Sequence, residues 1–403
     1  YNLPDFSRGQ FPIVQVNPTP EVVVDFAEWE NLARTISVHF KKIPEIEKSR
    51  VLIFADRSIR YYLDSEGNKL RETALHYGVT LEAWSKTKLG YTVEDQETLF
   101  FTDPAQIPSR QQLAAKAEQL IAGILALRSA PKMEPFVGPA LFSPDATAML
   151  FHEAIGHRLE GDRLRTNNDG KTFAKKIGRH ILPSFLSIVD NPTVRRFNGE
   201  ELLGHYEFDD DGQRGQEVVL IEQGALKNFL LSRNPAPGFN KTNGHARSDG
   251  LRFPISRMSN FFIRSDQKAE PEQLKQRLIE EIKRQNKPYG IMIKKMLSGE
   301  TQTHKDFQVF KGTPLYVYKV YPEDGREELV QGVEFVGTPL SMINKVILTG
   351  KDDAVLNAYC GAESGFILVT SVAPSILLSE VELQSSQGPR LRLPILPPPI
   401  IHD

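Results

Sequence analysis

Residues Leu150–Asp162 read LFHEAIGHRLEGD, and the rest of the chain can be organised around this stretch. His152 and Glu153 follow an apolar run, and His157 stands five residues after His152. Imidazoles bind Zn²⁺, and a carboxylate beside them can take a proton from metal-bound water. Ser143 is a suitable N-cap for a helix through this stretch. Two histidines with a glutamate after the first, on a predicted helix, are therefore the parts of a zinc hydrolase.

The spacing of the two histidines differs from the familiar H-E-x-x-H motif. On a helix of 3.6 residues per turn, side chains five positions apart point about 140° away from each other. A single π-type turn would bring them together, and Gly156 would make that distortion easier. The sequence therefore predicts a helix over 144–159 that either contains a π-turn between His152 and His157 or holds no shared metal. Without a metal, the two histidines would be polar residues at a domain interface.

Zinc requires a third protein ligand, and several residues have the right donor chemistry. These candidates are Glu160, Asp162, His180, His205, His245, His304 and Cys360. Cys360 lies in a tight turn between predicted strands, where a rigidly held thiolate is a good ligand, although a lone cysteine is also a common small buried hydrophobe. The acidic run 207–212 is interpreted as a solvated turn rather than a second metal site.

The composition of the chain narrows the classes of function. The 403 residues carry 49 Lys and Arg against 51 Asp and Glu, and the formal net charge of −2 gives no broad field for nucleic acid or anionic lipid. One cysteine excludes an internal disulfide framework. No stretch approaches the roughly 20 apolar residues of a spanning helix. The chain begins at Tyr1 without a leader-like segment, so we expect a processed or truncated product.

Hydrophobic periodicity predicts an α+β protein with two domains. The N-terminal α+β domain, 1–130, is expected to contain a helix over 21–42, antiparallel β-rich runs over 49–102 and a helix capped by Ser109 that runs to about Leu127. The β-rich C-terminal catalytic domain, 131–403, follows. Its expected elements, besides the histidine-bearing helix, are a hairpin over 218–231, a long loop over 232–257, a helix over 272–286, strands over 289–383 and an extended proline-rich arm over 393–400.

Several motifs in one order resemble the TldD/PmbA family of zinc metalloproteases. They are the helix of residues 152–162, the acidic turn 209–212, the hairpin 219–227, Asn243-Gly244, the run 254–260, Cys360-Gly361, the run 372–375 and Glu380. The resemblance covers residues 145–385 and implies that His152, His157 and Cys360 hold one Zn²⁺ per chain. It also implies that Glu153 is the general base and proton shuttle, and that the fourth metal position is open to water or a peptide carbonyl.

The resemblance further implies a substrate, an assembly and a compartment. The expected substrate is an unfolded or extended peptide or protein, and the expected assembly is a homodimer or a heterodimer with a related subunit. Neither nucleic acid nor membrane is expected as a partner. The family's usual compartment is the cytoplasm, whereas a removed leader would place the chain in the periplasm or outside the cell.

Two other functions remain open from the sequence. One is a non-catalytic partner subunit that gathers extended peptides by strand addition. The other is a zinc hydrolase of non-peptide amides. Four arginines of the long loop either bind or cover a substrate or are ordinary surface charges: Arg233, Arg247, Arg252 and Arg257.

Overall fold

The computed structural model describes residues 6–8, 12–22, 24–88, 90–165, 172–301, 310–335 and 339–386. The fold is α+β, as the sequence predicts, with five α-helices and several mainly antiparallel sheets in the described ranges. None of the described helices is both long enough and apolar enough to cross a lipid bilayer.

The N-terminal part is a four-stranded sheet covered by two helices. Its elements are β1 (Val14–Val16), α1 (Phe26–Lys41), β2 (Ile46–Leu63), β3 (Lys69–Lys86), β4 (Thr92–Phe101) and α2 (Arg110–Ser129). Strands β2 and β3 pair antiparallel along their whole lengths, and β4 pairs with β3 on its other side. Both helices pack on the face that carries Val79, Leu81 and Ala83, which forms a core of its own with Ile36 and Leu113.

The remaining elements build two larger sheets and several short hairpins. Up to the middle of the long loop they are β5 (Phe136–Phe142), α3 (Pro144–Ala154), β6 (Leu186–Asp190), β7 (Arg196–Phe197), β8 (Glu200–Glu201), β9 (Val218–Glu222), β10 (Ala225–Leu226) and β11 (Ala246–Arg247). The next are β12 (Ile255–Ser256), β13 (Asn260–Ser265), β14 (Lys268–Ala269), α4 (Pro271–Arg284), β15 (Gly290–Ile293), β16 (Met296–Thr301), β17 (Phe310–Pro314) and β18 (Val317–Val320). The last are β19 (Glu327–Val330), β20 (Val333–Phe335), α5 (Pro339–Ile343), β21 (Val346–Gly350), β22 (Ala354–Ala362), β23 (Gly365–Ala373) and β24 (Ile376–Ser385).

The two larger sheets enclose the main hydrophobic core. One has the strand order β10-β9-β6-β13-β23-β22, and the other has the order β14-β21-β24-β5-β15-β18-β19 with β20 attached to β24. Helix α3 contacts β22 and β23 of the first sheet and the hairpin β16–β17, while α4 packs on the second sheet. Strand β22 therefore stands at the edge of its sheet and close to α3, which is the arrangement that positions the site.

Most predicted elements are present, and several boundaries differ. Ser109 accepts a hydrogen bond from Gln112 N at 3.4 Å and caps α2, as predicted. The hairpin predicted over 218–231 is shorter, because its second strand ends at Leu226. The predicted helix over 144–159 is wrong in its last turn, since α3 ends at Ala154. The proline-rich arm lies outside the described residues, and the domain boundary at 130 stays a prediction.

Candidate metal centre

The two histidines of the signature stretch come together because the helix stops between them. Ser143 caps α3 by accepting from Ala146 N at 3.2 Å. The helix ends at Ala154, Ile155 caps it with φ −118° and ψ −52°, and a 3₁₀ turn follows over Gly156–Leu159. The predicted π-turn is therefore wrong, because this described segment contains none, although the two imidazole rings lie with their centroids 4.9 Å apart. The other alternative, that the two histidines hold no shared metal, stays a prediction.

Gly156 is required by a close approach rather than by a special backbone angle. A Cβ atom at this position would lie 2.0 Å from Met258 Sδ, so any other residue would require the fully buried Met258 side chain to shift. Met258 comes from the segment that leads into β13. The turn that brings His157 back toward His152 is thus fixed by a residue about a hundred positions away in the sequence.

His152, His157 and Cys360 meet at one point. Cys360 Sγ lies 3.2 Å from His152 Nε2 and 3.4 Å from His157 Nε2, and one ligand atom from each residue falls within 4.8 Å of the other two. All three side chains are at least nine-tenths buried. Donor atoms around a tetrahedral zinc ion stand about 3.5 Å apart, given bonds of about 2.0–2.1 Å to nitrogen and 2.3 Å to sulfur. The donor set and its spacing therefore fit zinc.

Glu160 orients His157 instead of serving as a ligand. Its Oε1 accepts from His157 Nδ1 at 3.1 Å, which leaves Nε2 directed at Cys360, and its Oε2 accepts from Arg163 Nη2 at 2.9 Å. Burial by itself would raise the pKa of Glu160, but the His157 imidazolium and the Arg163 guanidinium lower it to about 2. A carboxylate that accepts from the far nitrogen of a histidine is the usual support of a zinc-binding imidazole.

Cys360 is held in a strongly cationic environment. Burial alone would raise the pKa of its thiol, but the imidazoles of His157 and His152 lower this pKa well below its ordinary value. The pKa of His157 is raised well above its ordinary value, because Glu160 and the thiolate outweigh the effect of burial. Since the thiolate is the form of cysteine that binds metals, the lowered pKa of the thiol favours coordination, whereas His157 must release a proton when it binds a metal.

Glu153 lies beside the two histidines and on the wall of a cleft. The cleft has a volume of 1520 Å³ and is lined by Glu153, His152, His157 and Cys360 together with residues of β4 and β22. Arg158 donates to the carbonyl oxygens of Glu153 and Ala154 at 2.7 and 2.8 Å. A buried cation thereby satisfies the last carbonyls of α3 and holds the backbone that carries Glu153.

The other candidates for the third ligand lie elsewhere. Asp162 accepts from Ser256 N and Ser232 Oγ, and His205 donates to the Pro192 carbonyl oxygen at 2.7 Å. His245 is fully buried and pairs with Asp190, with 3.1 Å between Nε2 and Oδ1. His180 is exposed on the β10 side of the molecule, and His304 lies outside the described residues.

The acidic turn has a structural role that the sequence interpretation missed. Asp209 is 1% exposed, and its carboxylate accepts from the backbone nitrogens of Asp211, Gln213 and Ala246 at 2.8–3.0 Å. The interpretation as a solvated turn is therefore wrong. Three backbone donors converge on this carboxylate and tie the turn to β11.

The loop arginines differ from one another, and neither sequence alternative describes them all. Arg233 is buried and pairs with Asp64 and Glu66 of the β2–β3 turn. Arg247 donates to the carbonyl oxygens of Met258 and Leu368.

Arg252 alone of the four is exposed, and it lines the cleft. Arg257 is completely buried and donates to Cys360. Of the four, Arg257 alone lies in one of the family-like motifs, the run 254–260, but no pattern in the sequence shows which of these side chains are buried, because a charged residue in a loop looks the same whether its partners bury it or not.

Comparison with known proteins places the chain in a family. The family described as the PmbA/TldA metallopeptidase C-terminal domain matches residues 137–385, which is more than half of the chain, and the chain belongs to this family. The match includes the whole of the His–His–Cys cluster.

Relatives in this family are named as metalloproteases. The chain is 29% identical over 253 residues to metalloprotease MJ0996 of Methanocaldococcus jannaschii, an alignment that covers 62% of this chain and 51% of the relative. It is 27% identical over 259 residues to the zinc metalloprotease TldD homolog of Saccharolobus solfataricus, covering 63% and 53%. The alignments thus span about half the length of these relatives. Their names imply a metal.

Solved structures share the fold. TldE from Thermococcus kodakarensis superimposes with a TM-score of 0.65 at 16% identity, covering 95% of this chain and 81% of that one. A protein from Thermotoga maritima described as a putative modulator of a DNA gyrase gives a TM-score of 0.63 at 15% identity, covering 93% and 80%. At these identities the likeness concerns the fold alone.

Proposed function

We propose that the chain is a zinc-dependent peptidase that hydrolyses unfolded or extended peptides. The observation that carries the proposal is the convergence of His152, His157 and Cys360 beside Glu153 on the wall of one cleft. Membership of a metallopeptidase family supports it. His152, His157 and Cys360 would hold the metal, one ion per chain.

The roles of the surrounding residues follow from their contacts. Zinc, when bound, would supply a Lewis acid that polarises a carbonyl and makes water more acidic. Glu153 would take a proton at its carboxylate and return it to the leaving amine. Glu160 holds His157 in one tautomer, and Arg158 holds the backbone of Glu153.

The cleft suits an extended peptide. Strand β22, which carries Cys360, pairs only with β23 among the described residues, so its other edge is unpaired. Residues 355–362 of this strand line the cleft. An extended chain can form main-chain hydrogen bonds to such an edge, which favours unfolded substrates over folded ones and requires little side-chain specificity.

The experiment that tests the proposal is cleavage of unfolded casein by the zinc-loaded chain, with new peptide termini identified by mass spectrometry. Replacing the base, Glu153→Gln, is expected to lower turnover by about 10²- to 10⁴-fold without loss of zinc. Glu222→Gln, at the exposed end of β9, is the matched control and should cleave normally. Wild-type turnover in Glu153→Gln, or no cleavage by the zinc-loaded wild-type chain, would contradict the proposal.

The non-catalytic alternative and the assembly lead to separate measurements. A subunit that only binds peptides has no need of a base and three metal ligands in one cleft, so the site supports the enzyme instead.

We further propose that the chain forms the dimer that the family resemblance implies, either with a second copy of itself or with a related subunit. Sedimentation of the purified chain, alone and with such a subunit, tests that proposal.

A further inference from the structure

We propose that Arg257 is a positioning residue of the metal centre, which together with Glu160 fixes Cys360 and His157 in the orientation that binds zinc. This inference rests on the proposed function, because it takes Cys360 and His157 as zinc ligands. It assigns a role to a residue of the long loop whose sequence gives no sign of contact with the site.

The first observation is the burial of the Arg257 side chain. It is 0% exposed and heads the largest fully buried side chains in the described part of the chain. A guanidinium ion is costly to take out of water unless its donors are matched by acceptors with good geometry. The acceptors that contact the guanidinium therefore show which part of the structure this buried charge holds in place.

Four hydrogen bonds clamp the turn between β22 and β23 to Arg257. On the β22 side, Nη2 donates to the Cys360 carbonyl oxygen at 2.7 Å and to Cys360 Sγ at 3.1 Å. On the other side, Nη1 donates to Ser364 Oγ at 2.9 Å and to the Gly365 carbonyl oxygen at 3.1 Å. One planar group thus fixes both the backbone of Cys360 and the direction of its sulfur.

The same guanidinium faces the residue that orients His157. Its Nε lies 3.5 Å from Glu160 Oε1, the oxygen that accepts from His157 Nδ1. Nε is a buried donor without a hydrogen-bond partner among the described residues, and a shift of a few tenths of an ångström would supply one. Together with the approach of His157 Nε2 to Cys360 Sγ, these contacts close a ring of four side chains: His157, Glu160, Arg257 and Cys360.

The ring has two physical consequences for a bound metal. The N–H donor at the sulfur draws electron density from the thiolate. The planar guanidinium of Arg257, which binds both the carbonyl oxygen and the sulfur of Cys360, also prevents the Cys360 side chain from turning away from the histidines. Without Arg257, the buried thiolate would also lose its neighbouring guanidinium. Removing partners of this kind lowers metal affinity by about 10- to 100-fold.

The test measures the metal directly. The zinc dissociation constants of the wild-type chain and Arg257→Gln are compared by competition with a chromophoric chelator, and the absorption of the Co²⁺-loaded proteins is recorded. Arg257→Gln is expected to bind zinc about 10- to 100-fold more weakly. Its thiolate-to-cobalt band should move to longer wavelength, because the sulfur is no longer stabilised by the N–H donor. Arg233→Gln, which removes another buried guanidinium that pairs with Asp64 and Glu66, should leave both readings unchanged.

Unchanged affinity and an unchanged band in folded Arg257→Gln would overturn the inference. If that variant does not fold, Arg257→Lys decides, because lysine keeps the charge but cannot reproduce the fork. Weaker zinc binding by Arg257→Lys supports the positioning role, and wild-type affinity overturns it. A wild-type chain that binds no zinc would overturn the proposed function and this inference together. Zinc binding and cleavage with no effect at Arg257 would overturn the inference alone.

Discussion

Two regions of the molecule are both well buried: the core of the N-terminal sheet with its helices, and the surroundings of the metal centre. The first is apolar, whereas the second is polar and charged. The first has a core of Ile36, Val79, Leu81 and Leu113, each 0–1% exposed. The second buries a dense group of polar and charged side chains: His152, Glu153, His157, Arg158, Glu160, Arg163 and Arg257. Apolar burial needs no particular partner, whereas each buried charge needs a specific one.

We therefore expect stability and function to depend on different residues. This can be tested by comparing a substitution in the apolar core with a substitution among the buried polar groups. A cavity in the apolar core should weaken the fold and leave the metal centre intact. A change among the polar groups should alter metal binding or turnover more than it alters the fold. Three substitutions test this expectation, and they are given from the largest expected effect to the smallest.

Leu113→Ala should have the largest effect on stability. Leu113 is completely buried between α2 and the N-terminal sheet, and truncation of such a leucine costs about 2–5 kcal/mol of unfolding free energy. Urea unfolding measures this loss. Zinc affinity, measured in the absence of urea, should equal that of the wild-type chain. A parallel fall in zinc affinity would show that the two regions are not separate.

Gly299→Ala should affect turnover and spare zinc binding. A Cβ atom at this position of β16 would lie 2.7 Å from Glu153 Cγ and 3.1 Å from Met149 Sδ, so the Glu153 side chain must move. Misplacing a reacting group by a fraction of an ångström to an ångström lowers kcat by about 10- to 100-fold. Zinc content should remain at the wild-type level.

A double variant distinguishes this cause from general damage to the site. If Gly299→Ala acts only through Glu153, adding it to Glu153→Gln should produce no further loss of kcat. An additional loss of the same size as in the single variant would mean that β16 acts on the substrate or the metal by another route.

Asp145→Asn should have the smallest effect, and its sign depends on pH. Burial raises the pKa of Asp145, which lines the cleft, although Lys295 opposes this shift. Above the ordinary carboxyl pKa of about 3.9, the folded chain therefore binds more protons at this site than the unfolded chain, and stability falls as pH rises through the raised pKa. Asp145→Asn removes this loss, so its Tm relative to wild type should increase between pH 4 and 7. A Tm difference that is constant with pH would contradict this.

The contrast also explains how much could be predicted from the sequence. The apolar stripe of α2 and its cap at Ser109 are local signals, and they predict the helix closely. The turn after Ala154 depends on Met258, and the Cys360 contact joins residues 208 positions apart. No local pattern contains these contacts.

The family resemblance supplied Cys360 as a ligand, whereas spacing alone left seven candidates open. Glu160 shows clearly how far prediction from the sequence can go, since a carboxylate three residues after His157 has the chemistry of a ligand. Only the direction of His157 Nδ1 in the fold shows that Glu160 supports the imidazole instead. Arg257 shows the same limit of prediction from sequence, because its burial depends on acceptors in the distant strands β22 and β23.

The central claim, that His152, His157 and Cys360 form one zinc site, is tested most directly by metal content. The full chain should be purified without chelators or nickel resin, beside Cys360→Ser and with Leu113→Ala as a destabilised control. We predict about one zinc per chain in the wild type and in Leu113→Ala, and a lost or sharply weakened site in Cys360→Ser. No zinc in the wild-type chain after reconstitution, or full zinc retention in Cys360→Ser, would contradict it.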